Sequence, residues 1–213
     1  MKIDRAEVFR YMRTDRAKVD AVLESRLAAV ETQVLAVVRP AAYWQLVKVE
    51  GCANAYRVGP LELASRNLYR ELASCPHAFL FCATLGAGVD ALLRQTACMS
   101  AADLVMVQAV AAALIETYCD ECETRMAAEV AAAGETLRMR FSPGYGDLPL
   151  ATQKPLLAAL DAQRRAGITL TETFLMMPSK SVSAIIGAGP AGGARPRSCQ
   201  RCGKQDCEFR IEE

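Results

Sequence analysis

The segment from Ser100 to about Ala133 constrains this chain more than any other, because it reads as one long helix that the rest must accommodate. Ser100 with Asp103 makes a capping box at its start, and Gly134 is a natural stop. Its most apolar part, Leu104 to Ile115, includes Gln108 and falls short of the roughly 20 residues a bilayer span needs. Before it, Val19, Val22, Leu23, Leu27, Val30, Val34 and Val37 recur at helical spacing, so a helix is expected from about Asp15 to Val38, ended by Pro40. Tyr43 to Val49 reads as a strand and Leu61 to Leu72 as a short helix. The apolar run Ala78 to Thr84 suits a buried strand, and Gly86 and Gly88 open a helix through Leu93. Beyond Gly134, Thr136 to Phe141 alternates like a strand, and a Pro- and Gly-punctuated loop follows. A helix is expected from Gln153 to Ala166, ending at Gly167, then two closing strands, Ile168 to Phe174 and Ser181 to Ile186. Strands and helices mix without a regular βα repeat, which makes the class α+β.

At about 150 residues per domain, 213 residues predict one large domain, or one domain and a tail. Composition shifts after Gly187, so the expected division is an α+β domain over 1–187 and a Gly/Pro/Arg linker with a cysteine tail over 188–213. An apolar fraction of 52% argues against disorder, and a net charge of +1 argues against nucleic-acid binding. The single histidine, His77, removes every metal site that needs two imidazoles and reads as a structural residue near a strand start. Nine unevenly spread cysteines are a poor disulfide framework, and MKIDRAEVFRYMR has no apolar signal core. A reducing, cytoplasmic compartment with no membrane association is the expectation.

The stretch RFSPGYGDLP (140–149), then a helix, then GITLTETFLMMPSKSVSAIIG (167–187), is not generic. It holds Arg140, Pro143, Gly144 and Tyr145 in one loop. Gly167, Leu170, Thr171 and Glu172 follow in one strand, and Pro178, Ser181, Val182 and Ser183 in another. These residues resemble the activation domain of cobalamin-dependent methionine synthase, a family with an Arg–x–x–Pro–Gly–Tyr loop and Gly–x–x–Leu–Thr–Glu and Pro–x–x–Ser–Val–Ser strands in that order. A weaker likeness extends back over MVQAVAAALIE (106–116). The resemblance implies a single domain with a mainly antiparallel twisted sheet flanked by long helices. It implies binding of S-adenosylmethionine and presentation of its methyl group for reductive methylation of cob(II)alamin carried by a partner. Carried over residue by residue, the ligand-binding positions are Glu116, Arg140 and Tyr145, with Pro143 and Gly144 shaping the loop whose backbone contributes.

The chemistry supports such a set on its own terms. The methionyl end of the ligand is a zwitterion beside a sulfonium, which calls for a guanidinium facing the carboxylate and a carboxylate facing the ammonium. Arg140 enters a Pro–Gly turn, Gly144 permits close backbone approach, and Tyr145 offers an aromatic body with a hydroxyl. Glu116 lies in an apolar helical stretch with Ala109, Ala112 and Ala113 beside it, where small side chains leave room. The plainer readings are a solvated helix position for Glu116, a strand ion pair for Arg140 and a turn aromatic for Tyr145. Pro178, Ser181 and Ser183 read as scaffold, and Glu172 as a strand-edge ion pair. Cys119 and Cys122 sit mid-helix and read as buried small side chains.

Two features depart from the family. No cobalamin-binding or substrate domain fits in the chain, so the expected action is in trans. Its partner would be a separately encoded methionine synthase or another corrinoid protein, with a reductant such as a flavodoxin or ferredoxin. The tail also carries Cys199, Cys202 and Cys207 as C-x2-C-x4-C, a spacing that suits zinc or an iron–sulfur cluster but lacks a fourth ligand. The alternative function is a non-catalytic docking or electron-transfer module on the same fold. If the tail binds metal, a Cys199→Ser/Cys202→Ser variant loses stoichiometric zinc or iron by elemental analysis. Equal metal in both proteins rules the site out.

Overall fold

The computed structural model describes residues 1–15, 19–52 and 55–191. In chain order the elements are α1 (Arg5–Met12), α2 (Ala21–Val37), β1 (Ala41–Cys52), β2 (Ala55–Val58), β3 (Leu61–Leu63), α3 (Arg66–Leu72), β4 (His77–Thr84), α4 (Ala87–Met99), α5 (Ala101–Ala131), β5 (Glu135–Leu137), α6 (Gln153–Ala159), α7 (Ala162–Ala166), β6 (Thr169–Leu170), β7 (Met176–Met177) and β8 (Ser181–Pro190). A six-stranded antiparallel sheet runs β3-β2-β1-β4-β8-β5, and β6 and β7 form a separate ribbon. The architecture is the expected α+β class in one domain.

Both sheet faces are covered, which explains the unbroken apolar run of β4. Phe79, Phe81 and Ala83 face a core shared with α1, α2, α4 and α5, while Ala78, Leu80 and Cys82 face a second core under α3, α6 and α7. Strand β8 splits the same way: Ala184, Ile186 and Ala188 face the α5 side and Ile185 the α3 side. His77 at the start of β4 meets Glu135 of β5 at 3.1 Å across the intervening β8, in keeping with a structural role.

Helix α5 begins as the sequence suggests, with the Ser100 hydroxyl accepting the Asp103 N–H at 3.2 Å. The reciprocal arm of the box is absent, since the Ser100 N–H donates to Thr96 O and the Asp103 carboxylate pairs with Arg26 of α2. With 31 residues, α5 is long and apolar enough by length and composition to cross a membrane, so the length argument made on Leu104 to Ile115 does not stand. Burial accounts for its character instead: Met106, Val110, Leu114, Cys119, Met126 and Val130 all pack into the protein core. Near its C-terminal end, Trp44 of β1 donates to Glu129 at 2.9 Å, and Arg125 stacks over the indole at 4.9 Å.

Several expectations are corrected. An N-terminal helix, α1, is added; Asp4 caps it and Val8 and Phe9 bury against α5. Helix α2 starts at Ala21, where the Asp20 side chain accepts the Leu23 N–H, rather than near Asp15. Leu61 to Leu72 is a strand and then a helix: Leu61 and Leu63 are buried around exposed Glu62, a period of two, and Ser65 caps α3. The Gln153 to Ala166 helix breaks at Asp161, whose φ is +48°. An unbroken helix would set Arg164 one turn after buried Leu160; the break buries Ala162 and Ala166 instead. Ile168 to Phe174 does not join the main sheet but turns at Phe174 into the β6–β7 ribbon. Strand β8 runs through Pro190, three residues past the compositional break at Gly187. The cysteine tail lies outside the described residues.

Helix α4 packs close against the end of α2. A Cβ at Gly88 would lie 2.4 Å from the Val37 carbonyl oxygen, so the helix pair meets backbone to backbone. Asp90 in its first turn accepts the Ser179 N–H at 2.9 Å and also the Ser179 hydroxyl, pinning the turn that leads into β8. Gly88→Ala is expected to cost about 1–3 kcal/mol through overpacking. That corresponds to a thermal midpoint lower by about 2–4 °C per kcal/mol, read by a circular dichroism melt. An unchanged midpoint would show that α4 can shift off Val37 freely.

Candidate functional site

The site is built where the outermost strand leaves the sheet. Leu137 pairs with Ala188, and Phe141 bridges Ile185, so four steps on one chain oppose three on the other. The extra residue is a β-bulge, the reason the expected strand Thr136 to Phe141 is regular only to Leu137. Leu137 packs on the α5 side and Phe141 on the α3 side. In unbulged pairing these positions would share a face, because side chains alternate. The bulge therefore turns Arg140 toward α5.

There Arg140 meets three carboxylates. Its Nη2 donates to Glu116 Oε2 at 2.8 Å, and its Nη1 lies 3.0 Å from Asp120 Oδ1 and 2.6 Å from Glu123 Oε1. The three acids are at i, i+4 and i+7 along α5, one stripe of the helix. Burial alone would lower the Arg140 pKa, but the groups around it, Glu123 first, then Cys119, Glu116 and Asp120, outweigh it and raise the value, so the guanidinium is held charged. Burial also raises the Tyr11 pKa, with the Glu116 charge contributing, which sets α1 beside the cluster. Cys119 is fully buried and its thiol is pushed up by burial; Cys122 is buried too, consistent with packing rather than redox use.

The Pro–Gly–Tyr loop lies across the sheet edge from this cluster. Pro143 is buried, and Gly144 takes φ +94°, a conformation that favours glycine. Tyr145 is 65% exposed, with its ring 6.3 Å from that of Phe141. Asp147 fastens the loop to α3: its carboxylate accepts the Arg66 N–H at 2.8 Å, the Asn67 N–H at 3.1 Å and the Ser65 hydroxyl. Ser181 donates to Pro178 O at 2.7 Å, Ser183 is buried, and Glu172 is exposed in the turn between β6 and β7.

Of the residues expected from the sequence, Glu116 and Arg140 are brought into contact. Pro143, Gly144 and Tyr145 form one loop that follows Arg140 directly but shows no contact with the ion cluster. Cys199, Cys202 and Cys207 lie outside the described residues, and among the described residues no group of three or more His, Cys, Asp or Glu side chains is arranged to hold a metal. Asp120, Glu123, Tyr11 and Asp147 were not anticipated. The i, i+4, i+7 acid spacing after Glu116 was the available signal for the first two.

The family model described as vitamin B12 dependent methionine synthase, activation domain, matches residues 74–208, which span the bulge, the acidic stripe and the Pro–Gly–Tyr loop. The chain belongs to this family. Among solved structures, the MetH reactivation domain bound to AdoHcy aligns over 89% of this chain and 74% of its own, with a TM-score of 0.66 and 18% identity. At that identity the likeness establishes the fold alone. No curated protein matches the chain.

The hydrogen bonds to Asp147, that from Ser65 foremost, hold its pKa below the ordinary carboxylate value of 3.8. The folded state therefore binds this proton less readily than the unfolded chain. The stabilisation is complete above the unfolded value and is lost as pH falls through the folded one. Asp147→Asn is expected to lower the thermal midpoint at neutral pH, with the gap to the unaltered protein closing as pH falls below about 4. A gap independent of pH would remove the carboxylate's charge from the account.

Proposed function

We propose that this chain binds S-adenosylmethionine at the edge where Arg140 meets Glu116 and presents its methyl group for reductive methylation of cob(II)alamin, acting in trans on a methionine synthase or related corrinoid protein. The observation that carries this reading is the Arg140–Glu116 pair at 2.8 Å, at the sheet edge beside the Pro–Gly–Tyr loop, in a chain that belongs to the activation domain family. The methionyl zwitterion fits that pair by exchange. Its carboxylate takes the Nη2 end of Arg140, and Glu116, so released, receives its ammonium. Charge-assisted bonds of this kind fix orientation as well as energy. The exposed Tyr145 ring supplies a face for the rest of the ligand. The AdoHcy bound by the structurally similar reactivation domain is the demethylated counterpart of the proposed ligand.

A corrinoid held by the partner would supply the cobalt that accepts the methyl group, an external flavodoxin- or ferredoxin-type donor would supply the electron, and S-adenosylhomocysteine would leave. This chain supplies no nucleophile. Its contribution is positioning: Arg140 and Glu116 hold the amino-acid end so that the sulfonium methyl is presented along one line. Fixed geometry of this kind lowers barriers by roughly 7–11 kcal/mol in ideal intramolecular cases.

Calorimetric titration of S-adenosylmethionine tests the site. Arg140→Ala is expected to weaken binding at least tenfold, about 1.4 kcal/mol; unchanged affinity would sink the assignment. For the activity, a cob(II)alamin-loaded methionine synthase lacking its own activation domain should regain the methylcobalamin spectrum only with this protein, S-adenosylmethionine and a reductant together. Recovery in its absence would remove the role.

A further inference from the structure

The three carboxylates on Arg140 are not equivalent. Glu116 and Asp120 are 42% and 48% exposed, whereas Glu123 is 12% exposed, matching the 16% of Arg140 itself. They also divide the guanidinium between them: Glu116 meets Nη2, and Asp120 and Glu123 meet Nη1. A half-exposed carboxylate can leave a guanidinium, because water takes up its charge. One that is 12% exposed gains little water by leaving, so parting it from Arg140 costs more. Arg140 also sits between the Leu137–Ala188 pair and the Phe141–Ile185 bridge, where the bulge sets the side it faces but strand pairing does not reach out to its guanidinium. The burial of Arg140 therefore needs a partner that persists while another is exchanged.

We infer that Glu123 is the positioning residue of this site: it anchors Arg140 through Nη1 so that the Nη2 end stays presented to the ligand's carboxylate while Glu116 lets go. The inference rests on the reading of Arg140 and Glu116 as the methionyl site and adds a residue one full helical repeat away, at i+7 from Glu116. Glu123 does not touch the ligand. It acts through Arg140, so its contribution depends on whether the ligand has a carboxylate for Arg140 to hold. Asp120 takes the hydrogen bond from Nη1 at 3.0 Å, whereas Glu123 holds the same nitrogen as an ion pair at 2.6 Å; Asp120 is as exposed as Glu116 and so can exchange with water, which leaves the anchoring to Glu123.

The test uses the full-length protein, two ligands and calorimetry. One ligand is S-adenosylmethionine. The other is decarboxylated S-adenosylmethionine, which keeps the sulfonium, the amine and the nucleoside but offers Arg140 no carboxylate. Glu123→Gln is expected to weaken S-adenosylmethionine binding about tenfold, equal to about 1.4 kcal/mol, and decarboxylated ligand by less than about twofold. Glu123→Asp should recover part of the lost affinity, and Asp120→Asn should change it by less than about threefold. In an Arg140→Ala background, Glu123→Gln should cost nothing further. A merely structural role would weaken both ligands alike, and that result, or no loss with either, overturns the inference. Circular dichroism melts accompany each variant; should Glu123→Gln fail to fold, Glu123→Asp against the two ligands carries the same comparison. Failure of the unaltered protein to bind S-adenosylmethionine overturns the methionyl-site reading, and this inference with it. Binding that Arg140→Ala abolishes but Glu123→Gln spares overturns the inference alone.

Discussion

Helix α5 has to satisfy two surroundings at once. Along one flank it buries Met106, Val110, Leu114, Cys119 and Met126 in the core it shares with the sheet and helices α1, α2 and α4. Along the adjoining flank it sets Glu116, Asp120 and Glu123 in line opposite one arginine. Hydrophobic burial fixes the rotation of the helix, and that rotation fixes where the carboxylates stand. The site borrows its precision from the core. The ion cluster does not have to hold α5 in place, so its half-exposed charge at Glu116 remains available for exchange with a ligand.

The sheet edge contributes the complementary half. β5 is short and its pairing with β8 is interrupted, so the chain can carry a functional side chain there that a regular strand would turn the other way. The loop that follows is tied down from the opposite layer, through Asp147 to the start of α3. One face supplies charge and the other supplies an aromatic loop, and the two are joined by a few residues of backbone. An elongated ligand with a zwitterionic end and an aromatic end is the shape such an edge suits.

Much of this was legible before the structure. β4 declared itself through an apolar run bounded by turn residues, and α5 through its Ser100 cap and Gly134 stop. The β8 segment was read as a closing strand over Ser181 to Ile186, whereas Arg140 and Tyr145 came from the motif resemblance rather than from spacing, which alone left Glu116 as a solvated position. The bulge was not legible, because it is a property of register: it exists only relative to β8, more than forty residues on. Glu123 and Asp120 were missed for a related reason. Acids at helical spacing usually line a wet surface, and only the approach of Arg140 from a distant strand makes them a cluster. The break at Asp161 and the hairpin before α3 reflect local choices that tertiary burial decided, in one case for Ala162 and Ala166, in the other for Leu61 and Leu63.

The chain has one tryptophan, and it stands on the seam between β1 and the last turns of α5, under Arg125 and bonded to Glu129. Its six tyrosines aside, the protein thus carries a single indole, and it stands on the layer that holds the acids. Its emission is a channel onto one side of the sheet: a displacement of α5 changes the light, and a rearrangement confined to the loop leaves it as it was.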